Sequence, residues 1–207
     1  MTTHGFIHTS LGSALALAVA LTLTAGAIAS SQGPLALDTA RVSIAGTSNI
    51  HDYTASTTEV LLTRVQFAAG AAGPALWDEV QKPGGLEAFD ISISAASLKS
   101  TKEGLDKNMY KALKVKEHAD ITFSLTRMEG AAGTPTAFGT LRVAGVEREV
   151  TIPLKATRKG AGLAVTGELA VLMTDFGIAP PRAMLGMVTA DPRITITFEV
   201  LLAIATT

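Results

Sequence analysis

The residues of this sequence whose types could support chemistry are two histidines and the carboxylates near them. His51 is followed directly by Asp52, and His118 is the only other histidine beyond residue 10. A histidine beside a carboxylate indicates acid–base catalysis, or a metal site if at least three ligands converge. In a strand, however, consecutive side chains point to opposite faces, so the two could not form a hydrogen-bonded pair. We therefore expect His51 to be structural or ligand-lining and Asp52 to lie in solvent or a turn. Coordination of a metal by both histidines and a carboxylate is the alternative.

Other catalytic and cofactor-binding motifs are missing from the sequence. Beyond residue 29 it contains no Gly-x-Ser-x-Gly nucleophile turn and no glycine-rich phosphate loop. It also contains no cysteine, which excludes thiol nucleophiles, thiolate metal sites and disulfides. A formal net charge of −1 argues against nucleic acid as a partner. We therefore expect no catalytic residue, no metal and no cofactor.

The first 29 residues are typical of a secretory signal peptide. Leu11 to Ala25 form an uncharged run of apolar and small residues, and Ala27-Ile28-Ala29 has the small-x-small pattern of a cleavage site. Cleavage after Ala29 would leave 178 of the 207 residues, a periplasmic or secreted protein with one domain over 30–207. An uncleaved membrane anchor is the alternative, but the run is shorter than the about 20 residues that span a bilayer. No later segment has the length of a transmembrane helix.

Eight later segments alternate apolar and polar residues with period two, which is typical of half-buried strands. They cover residues 36–45, 53–67, 89–98, 121–128, 137–143, 149–156, 163–173 and 193–202. An antiparallel sheet of eight strands can remove its edges by closing on itself. The sequence therefore predicts an all-β fold, an eight-stranded antiparallel barrel.

The second segment breaks its own alternation. Glu59 falls on the same face as Leu61, Val65 and Phe67, three residues that we expect to face the interior. A β-bulge inserts one residue and shifts the register of the following side chains. We therefore predict a bulge near Glu59.

One short helix is predicted between strands, over residues 102–114. Leu105, Met109 and Leu113 recur at i, i+4 and i+8 and form one apolar stripe. Asp106, near the start, suits the positive end of the helix dipole. Since short helices are marginal alone, we expect the stripe to pack on the barrel wall or across its mouth.

Two stretches are predicted to be irregular. Residues 68–85 are rich in Gly and Ala and contain Pro74 and Pro83, so we expect a long loop with one helical turn around Trp77. Residues 177–187 form the second irregular stretch. Long loops in a compact domain are often functional.

The inward faces of the predicted strands are almost entirely apolar. An eight-stranded barrel has room for its own side chains or for one small ligand. The alternation is compatible with a fully packed interior and with a partly open one, and our hypothesis is that the interior binds an extended apolar chain. The predicted lining residues are Ile91, Ile93, Leu105, Met109, Leu113, Phe123, Leu125, Leu169, Val171, Ile196 and Phe198.

Several pieces of the sequence, in order, resemble the YceI-like family. The first piece is GTSNIHDY, and the last is TDFGI. Between them, SLKSTKEGLDKNMYKALKVKEHADITF and GTLRVAGVEREVTIPL resemble the strand–helix–strand unit and the hairpin of that family. The matching residues are Leu105, Asp106, Met109, Leu113, Ile121, Phe123, Gly139, Leu141, Gly145, Val146, Arg148 and Val150.

The resemblance implies an exported, lipocalin-like barrel that binds a polyisoprenoid or other long-chain lipid. Three functions are compatible with the residues. The first is an exported carrier of such a lipid, without enzymatic activity. The second is a packed structural or interaction barrel of the cell envelope without ligand, and the third is a metal- or His-dependent enzyme. The apolar faces favour the first, while the lipid's identity and the oligomeric state stay open.

Overall fold

The computed structural model describes residues 35–68, 75–183 and 187–205, and within them eleven strands and two α-helices occur. The strands are β1 (Leu35–Ser48), β2 (Asp52–Thr57), β3 (Val60–Phe67), β4 (Leu86–Ser94), β5 (Lys99–Ser100), β6 (Asp120–Glu129), β7 (Thr136–Val143), β8 (Val146–Lys159), β9 (Gly162–Leu172), β10 (Arg182–Ala183) and β11 (Val188–Ile204). The helices are α1 (Leu76–Glu79) and α2 (Glu103–Ala112), and short 3-10 helices occur at Ala95–Ser97 and Met173–Phe176. The predicted signal peptide lies outside these residues.

The strands form one curled antiparallel sheet in the order β3-β4-β6-β7-β8-β9-β11-β1-β2-β5, with β10 paired to β11. Strand β1 pairs with β11 on one side and with β2 on the other. Cα atoms of β3, at one end of this order, also come within 8 Å of those of β1, near the other end, so the sheet curls back on itself. The prediction of an all-β, barrel-like fold is confirmed.

The strand count differs from the predicted eight, because the structure has eleven strands in its described part. The second predicted segment is divided into β2 and β3 at Thr58 and Glu59. The other two additions are the two-residue strands β5 and β10, which lie in connections too short to show a periodic pattern.

The expected inward position of Leu61 is wrong. Its side chain is 68% exposed, whereas its neighbour Val60 lines the interior. The register between β3 and β4 shifts between Leu62 and Arg64, after Leu61 and not before it. The strand is therefore interrupted at Thr58 and Glu59, and the bulge lies further along, within β3. Val65, beyond the bulge, is buried as predicted.

One end of the curled sheet is closed by α1. Trp77 on this helix is 1% exposed, and its indole Nε1 donates to the carbonyl oxygen of Ala161 in the β8–β9 turn, 2.9 Å away. The guanidinium of Arg158 lies 5.4 Å from the centre of the indole ring. The helical turn predicted around Trp77 is thus present, and it seals the end of the sheet where β1 starts and β11 finishes.

The opposite end of the sheet carries α2, which two side chains hold in place. The carboxylate of Asp106 accepts a hydrogen bond from the backbone N–H of Ser100 in β5, at 2.8 Å. The hydroxyl of Tyr110 donates to the carbonyl oxygen of Leu98, at 2.7 Å. Because both contacts lead back to the segment before the helix, α2 is attached to the sheet and is not a free segment.

The β7–β8 turn, at the same end, requires a glycine. Ala144 and Gly145 both have positive φ, 49° and 80°, as in the two-residue turns that match the twist of a hairpin. The ring of His118 lies where a Cβ on Gly145 would be.

Among the described residues, no helix has the length and apolar character needed to cross a membrane.

Candidate ligand cavity

The curled sheet and α2 enclose an apolar cavity of about 510 Å³. This volume lies in the range of about 300–1,000 Å³ that small-molecule sites usually have. Side chains of α2 and of all the long strands line it, because strand alternation turns one face of each long strand toward the same space. The interior is therefore partly open, and its own side chains do not fill it.

All eleven predicted lining residues lie on this cavity. They come from β4, β6, β9, β11 and α2, and one of them, Leu113, directly follows α2. The eleven residues are Ile91, Ile93, Leu105, Met109, Leu113, Phe123, Leu125, Leu169, Val171, Ile196 and Phe198. The structure brings them together as the period-two pattern and the helical stripe require. That they contact a ligand stays a prediction.

Three aromatic side chains of the lining lie against glycines of neighbouring strands. In each case the ring occupies the position that a Cβ on the glycine would take, so the ring can lie along the wall of the cavity. The pairs are Tyr53 with Gly46, Phe123 with Gly139, and Phe198 with Gly167. A larger residue at these glycines would push the ring toward the cavity, so the glycines help to keep the volume open.

The closed end of the cavity contains one buried amide, that of Gln81. Its Nε2 donates to the carbonyl oxygen of Trp77 at 2.6 Å, and its Oε1 accepts from the backbone N–H of Gly133 at 2.9 Å. Both polar atoms of this amide therefore already have a partner in the protein, which fixes Gln81 as part of the closed end.

Most of the polar lining residues gather at the mouth, at the end of the sheet that carries α2. They are Ser48, His51, Tyr53, Lys102, Asn108 and Arg182. They come from β1, β2 and the turn between them, from α2 with the residue before it, and from β10, which lie far apart in the sequence. An apolar chain with one polar end would therefore place that polar end at the mouth.

The first of the two histidines, His51, lies at this mouth. His51 is exposed and directly precedes β2, and its backbone closes a turn with Ser48. The Ser48 hydroxyl donates to the His51 carbonyl oxygen at 2.7 Å, and the His51 N–H returns to the Ser48 oxygen at 3.2 Å. Asp52 is exposed at the start of β2. The structure therefore gives His51 a rim position and rules out a buried one.

Tyr53 is a partly buried phenol at the mouth, close to the carboxylate of Asp191. Partial burial raises the pKa of its hydroxyl above the ordinary value of 10.0, and the nearby charge of Asp191 adds to the rise. Both causes disfavour the phenolate. Tyr53 is therefore a neutral phenol at physiological pH, able to donate a hydrogen bond and unsuited to act as a base.

The second histidine is not part of the cavity lining. The ring of His118 packs on the β7–β8 turn, as described above. Its backbone N–H donates to the Lys114 carbonyl oxygen at 2.8 Å. Within residues 35–68, 75–183 and 187–205, no three His, Asp or Glu side chains are grouped closely enough to hold a metal ion. The structure thus does not bring the two histidines together.

Sequence reasoning missed most of the rim. Lys102, Asn108 and Arg182 lie in irregular or amphipathic stretches, where polar residues are ordinary and no periodic signal marks them. The available signal was the irregular stretch 177–187, which was predicted as a loop of possible function. The position of Met187, the last residue of that stretch, beside the β1–β2 turn depends on a contact across 138 residues, the hydrogen bond from the Asn49 side chain to the Met187 carbonyl oxygen.

Comparison with models of known protein families gives a match over most of the chain. The family model of the YceI-like domain matches residues 24–202. A comparison with curated proteins gave no match.

Three solved structures are similar to this one. Burkholderia cenocepacia BcnA superposes with a TM-score of 0.61 at 17% identity, over 79% of this chain and 96% of that one. A domain from Saccharophagus degradans, described as a polyisoprenoid binding domain implicated in plant cell wall breakdown, gives 0.58 at 12% identity, over 83% and 99%. The Campylobacter jejuni YCEI protein gives 0.55 at 16% identity, over 78% and 85%. At these identities the similarity shows a shared fold.

Proposed function

Since the chain belongs to the YceI-like family, we propose that it is an exported carrier that binds a polyisoprenoid or another long-chain lipid inside its curled sheet. The observation that carries the proposal is the cavity of about 510 Å³, apolar along its length and closed at one end by α1. The description of the Saccharophagus degradans domain as polyisoprenoid binding supports the same class of ligand.

The apolar lining favours long chains over short ones. Each buried CH₂ group contributes about 0.8 kcal/mol, so about ten of them contribute roughly 8 kcal/mol. Association itself costs about 4–15 kcal/mol in lost freedom of movement. A short apolar molecule would therefore bind weakly, whereas a long chain that follows the cavity would bind well.

The carrier has no catalytic role in this proposal. Its cavity wall consists mainly of Ile, Val, Leu, Phe, Met and Ala side chains, none of which exchanges protons or attacks a substrate. Tyr53 and His51, at the mouth, orient or shield the polar end of the lipid. A packed structural barrel, the second reading of the sequence, would leave no volume of this size.

The test is to fill the cavity with Leu169→Trp. We expect this variant to lose uptake of a fluorescent long-chain isoprenoid, because the indole would occupy the middle of the cavity. The free energy of unfolding should fall by less than the about 1–3 kcal/mol that overpacking costs in a filled core. Fluorescence titration and urea denaturation measure the two quantities.

Leu61→Trp is the matched control, since Leu61 is 68% exposed on β3 and does not line the cavity. It introduces the same indole and should leave uptake unchanged. A wild-type protein that takes up no isoprenoid, together with a Leu169→Trp variant that is strongly destabilised, would refute the carrier and favour a packed barrel. Native mass spectrometry of the protein from its own host, followed by lipid extraction, would identify the bound lipid.

A further inference from the structure

Two large apolar side chains project into solvent beside the mouth of the cavity. Ile50 is 61% exposed in the β1–β2 turn, and Met187 is 68% exposed directly before β11. Ile50 also lines the mouth itself. Exposed side chains of this size cost solvation free energy, and next to the opening of an apolar cavity they indicate a contact surface.

Asn49 holds these two loops together. Its side-chain Nδ2 donates to the Met187 carbonyl oxygen at 2.8 Å, and its Oδ1 accepts from the Thr189 backbone N–H at 3.0 Å. Its own backbone N–H donates to the Thr189 carbonyl oxygen at 3.2 Å. The exposed side chains therefore belong to one fixed platform, which we call the mouth platform (residues 48–51 and 187–189).

Positive charge is concentrated at the same end of the molecule. Residues 99–116 contain six lysines and two acidic residues, in a chain whose formal net charge is −1. One of the acidic residues, Asp106, is buried against Ser100. Lys102 and Arg182 lie on the rim, and Lys107 and Lys111 are exposed on α2. Residues 99–116 therefore carry a formal charge of +4 and the rest of the chain −5, to which the exposed Glu117 and Asp120 contribute.

We propose that the mouth end docks on the surface of an anionic lipid bilayer. Ile50 and Met187 enter the interfacial layer of the bilayer, while the lysines of α2 and Arg182 face the lipid phosphates. Basic residues near an anionic leaflet each strengthen binding about fivefold. The proposal rests on the proposed carrier function, because this orientation brings the cavity mouth to the membrane from which an apolar lipid would be taken.

A bilayer fits this surface better than a protein partner. A protein interface buries a contiguous patch of about 800 Å² on each partner, with a well-packed apolar centre. In the described part of the chain, the mouth end has instead two strongly exposed apolar side chains, Ile50 and Met187, beside an opening and the lysines of α2. Two exposed carboxylates, Asp52 and Asp191, also lie on the strand side of the rim, so the attraction to anionic lipid comes from the side of α2 and Arg182.

The experiment measures sedimentation of the protein, as purified from its native host, with two kinds of vesicle. One kind contains phosphatidylcholine and phosphatidylglycerol, and the other contains phosphatidylcholine alone. We expect about tenfold or more stronger binding to the anionic vesicles, with loss of this preference at high salt. The variant Ile50→Ser/Met187→Ser and the variant Lys102→Glu/Arg182→Glu should each weaken binding about tenfold or more. Asp52→Asn should strengthen it.

Leu61→Ser is the matched control, because Leu61 is as exposed as Met187 but lies on the outer wall of β3. This variant should bind vesicles like the wild type. Equal binding to both kinds of vesicle, no binding to either, or equal loss in Leu61→Ser and in the platform variant would each overturn the docking proposal.

A second readout separates this proposal from the carrier function. Uptake of the fluorescent isoprenoid from dispersed solution needs only the cavity, so the single variant Met187→Ser, at a residue that does not line the cavity, should retain it while its binding to anionic vesicles weakens. Vesicle binding that follows the expected pattern, in a protein that takes up no isoprenoid, would support the docking surface and refute the carrier. The opposite outcome is normal uptake by a protein whose vesicle binding depends neither on lipid charge nor on Ile50 and Met187. That outcome would support the carrier and refute the docking surface.

Discussion

Several polar side chains near the mouth bind the protein's own backbone. Asn49 joins the β1–β2 turn to the start of β11, and Ser48 closes that turn through the backbone of His51. Asp106 joins α2 to β5. In each case a loop or helix at the mouth is fixed by one side chain. Ser48 and Asn49, close to His51 and Asp52 in the sequence, therefore have a positioning role in the fold.

Asp106 makes stability depend on pH. Hydrogen bonds from Ser100, first through its side chain and then through its backbone N–H, lower the pKa of Asp106 below the ordinary 3.8. A lowered pKa in the folded state means that the carboxylate stabilises the fold fully above the ordinary value, and that this contribution disappears as the pH falls through the lowered pKa. We expect Asp106→Asn to have a lower urea midpoint than the wild type at neutral pH.

The difference in urea midpoint between the wild type and Asp106→Asn should shrink as the pH falls below the ordinary pKa of aspartate. Urea denaturation of both, at neutral pH and at successively lower pH values, measures it. Glu103→Gln is the control, because Glu103 is exposed on the same helix. A difference between wild type and Asp106→Asn that is constant across this pH range would contradict the role of the ionised carboxylate.

The two α-helices lie at opposite ends of the curled sheet. The first, α1, closes one end, and α2 borders the mouth of the cavity at the other. The long strands and α2 could be predicted because their apolar residues repeat with periods of two and 3.6. The bulge between Leu62 and Arg64 could not, because Thr63 has no side-chain feature that marks an inserted residue. Leu61 was therefore placed on the wrong face, although the break near Glu59 was visible.

The seal at the closed end depends on the amide of Gln81. We expect Gln81→Ala to lower the free energy of unfolding by about 1–3 kcal/mol, because the substitution leaves the Gly133 N–H and the Trp77 carbonyl without their partner. Lys82→Ala is the adjacent control. Lys82 is exposed and paired with Glu79 on the surface, so its loss should change the free energy of unfolding much less than Gln81→Ala does. Urea denaturation distinguishes the two, and equal effects would show that the seal does not need the amide.

For the whole molecule, the family and the fold class predicted from the sequence are confirmed. The cavity wall was predictable because inward-facing positions follow from alternation once the sheet is known to curl. Its volume was not, since the position of Phe198 against Gly167 depends on neighbouring strands and not on one segment. The rim was also hidden, because the bond from Asn49 to Met187 joins residues 138 positions apart.

Export is the prediction that concerns the whole chain. We expect the protein isolated from its host to begin at Ser30, because the apolar run and Ala27-Ile28-Ala29 have the pattern of a cleaved signal peptide. Intact-mass measurement of the periplasmic or secreted fraction checks this. A chain that still carries Met1 or Thr2, recovered with the membranes, would instead support the uncleaved anchor.

The pairing of β1 with β11 has a consequence for the order in which the protein is made. The register pairs Leu35 with Ile204, so the first described strand can complete its pairing only when the last strand is present. During synthesis β1 can pair with β2, but its other edge has no partner until almost the whole chain has been made. Pairings of such long sequence separation form slowly, and an unpaired strand edge invites association with other chains. The newly made chain therefore keeps one edge of β1 unpaired until β11 has been made.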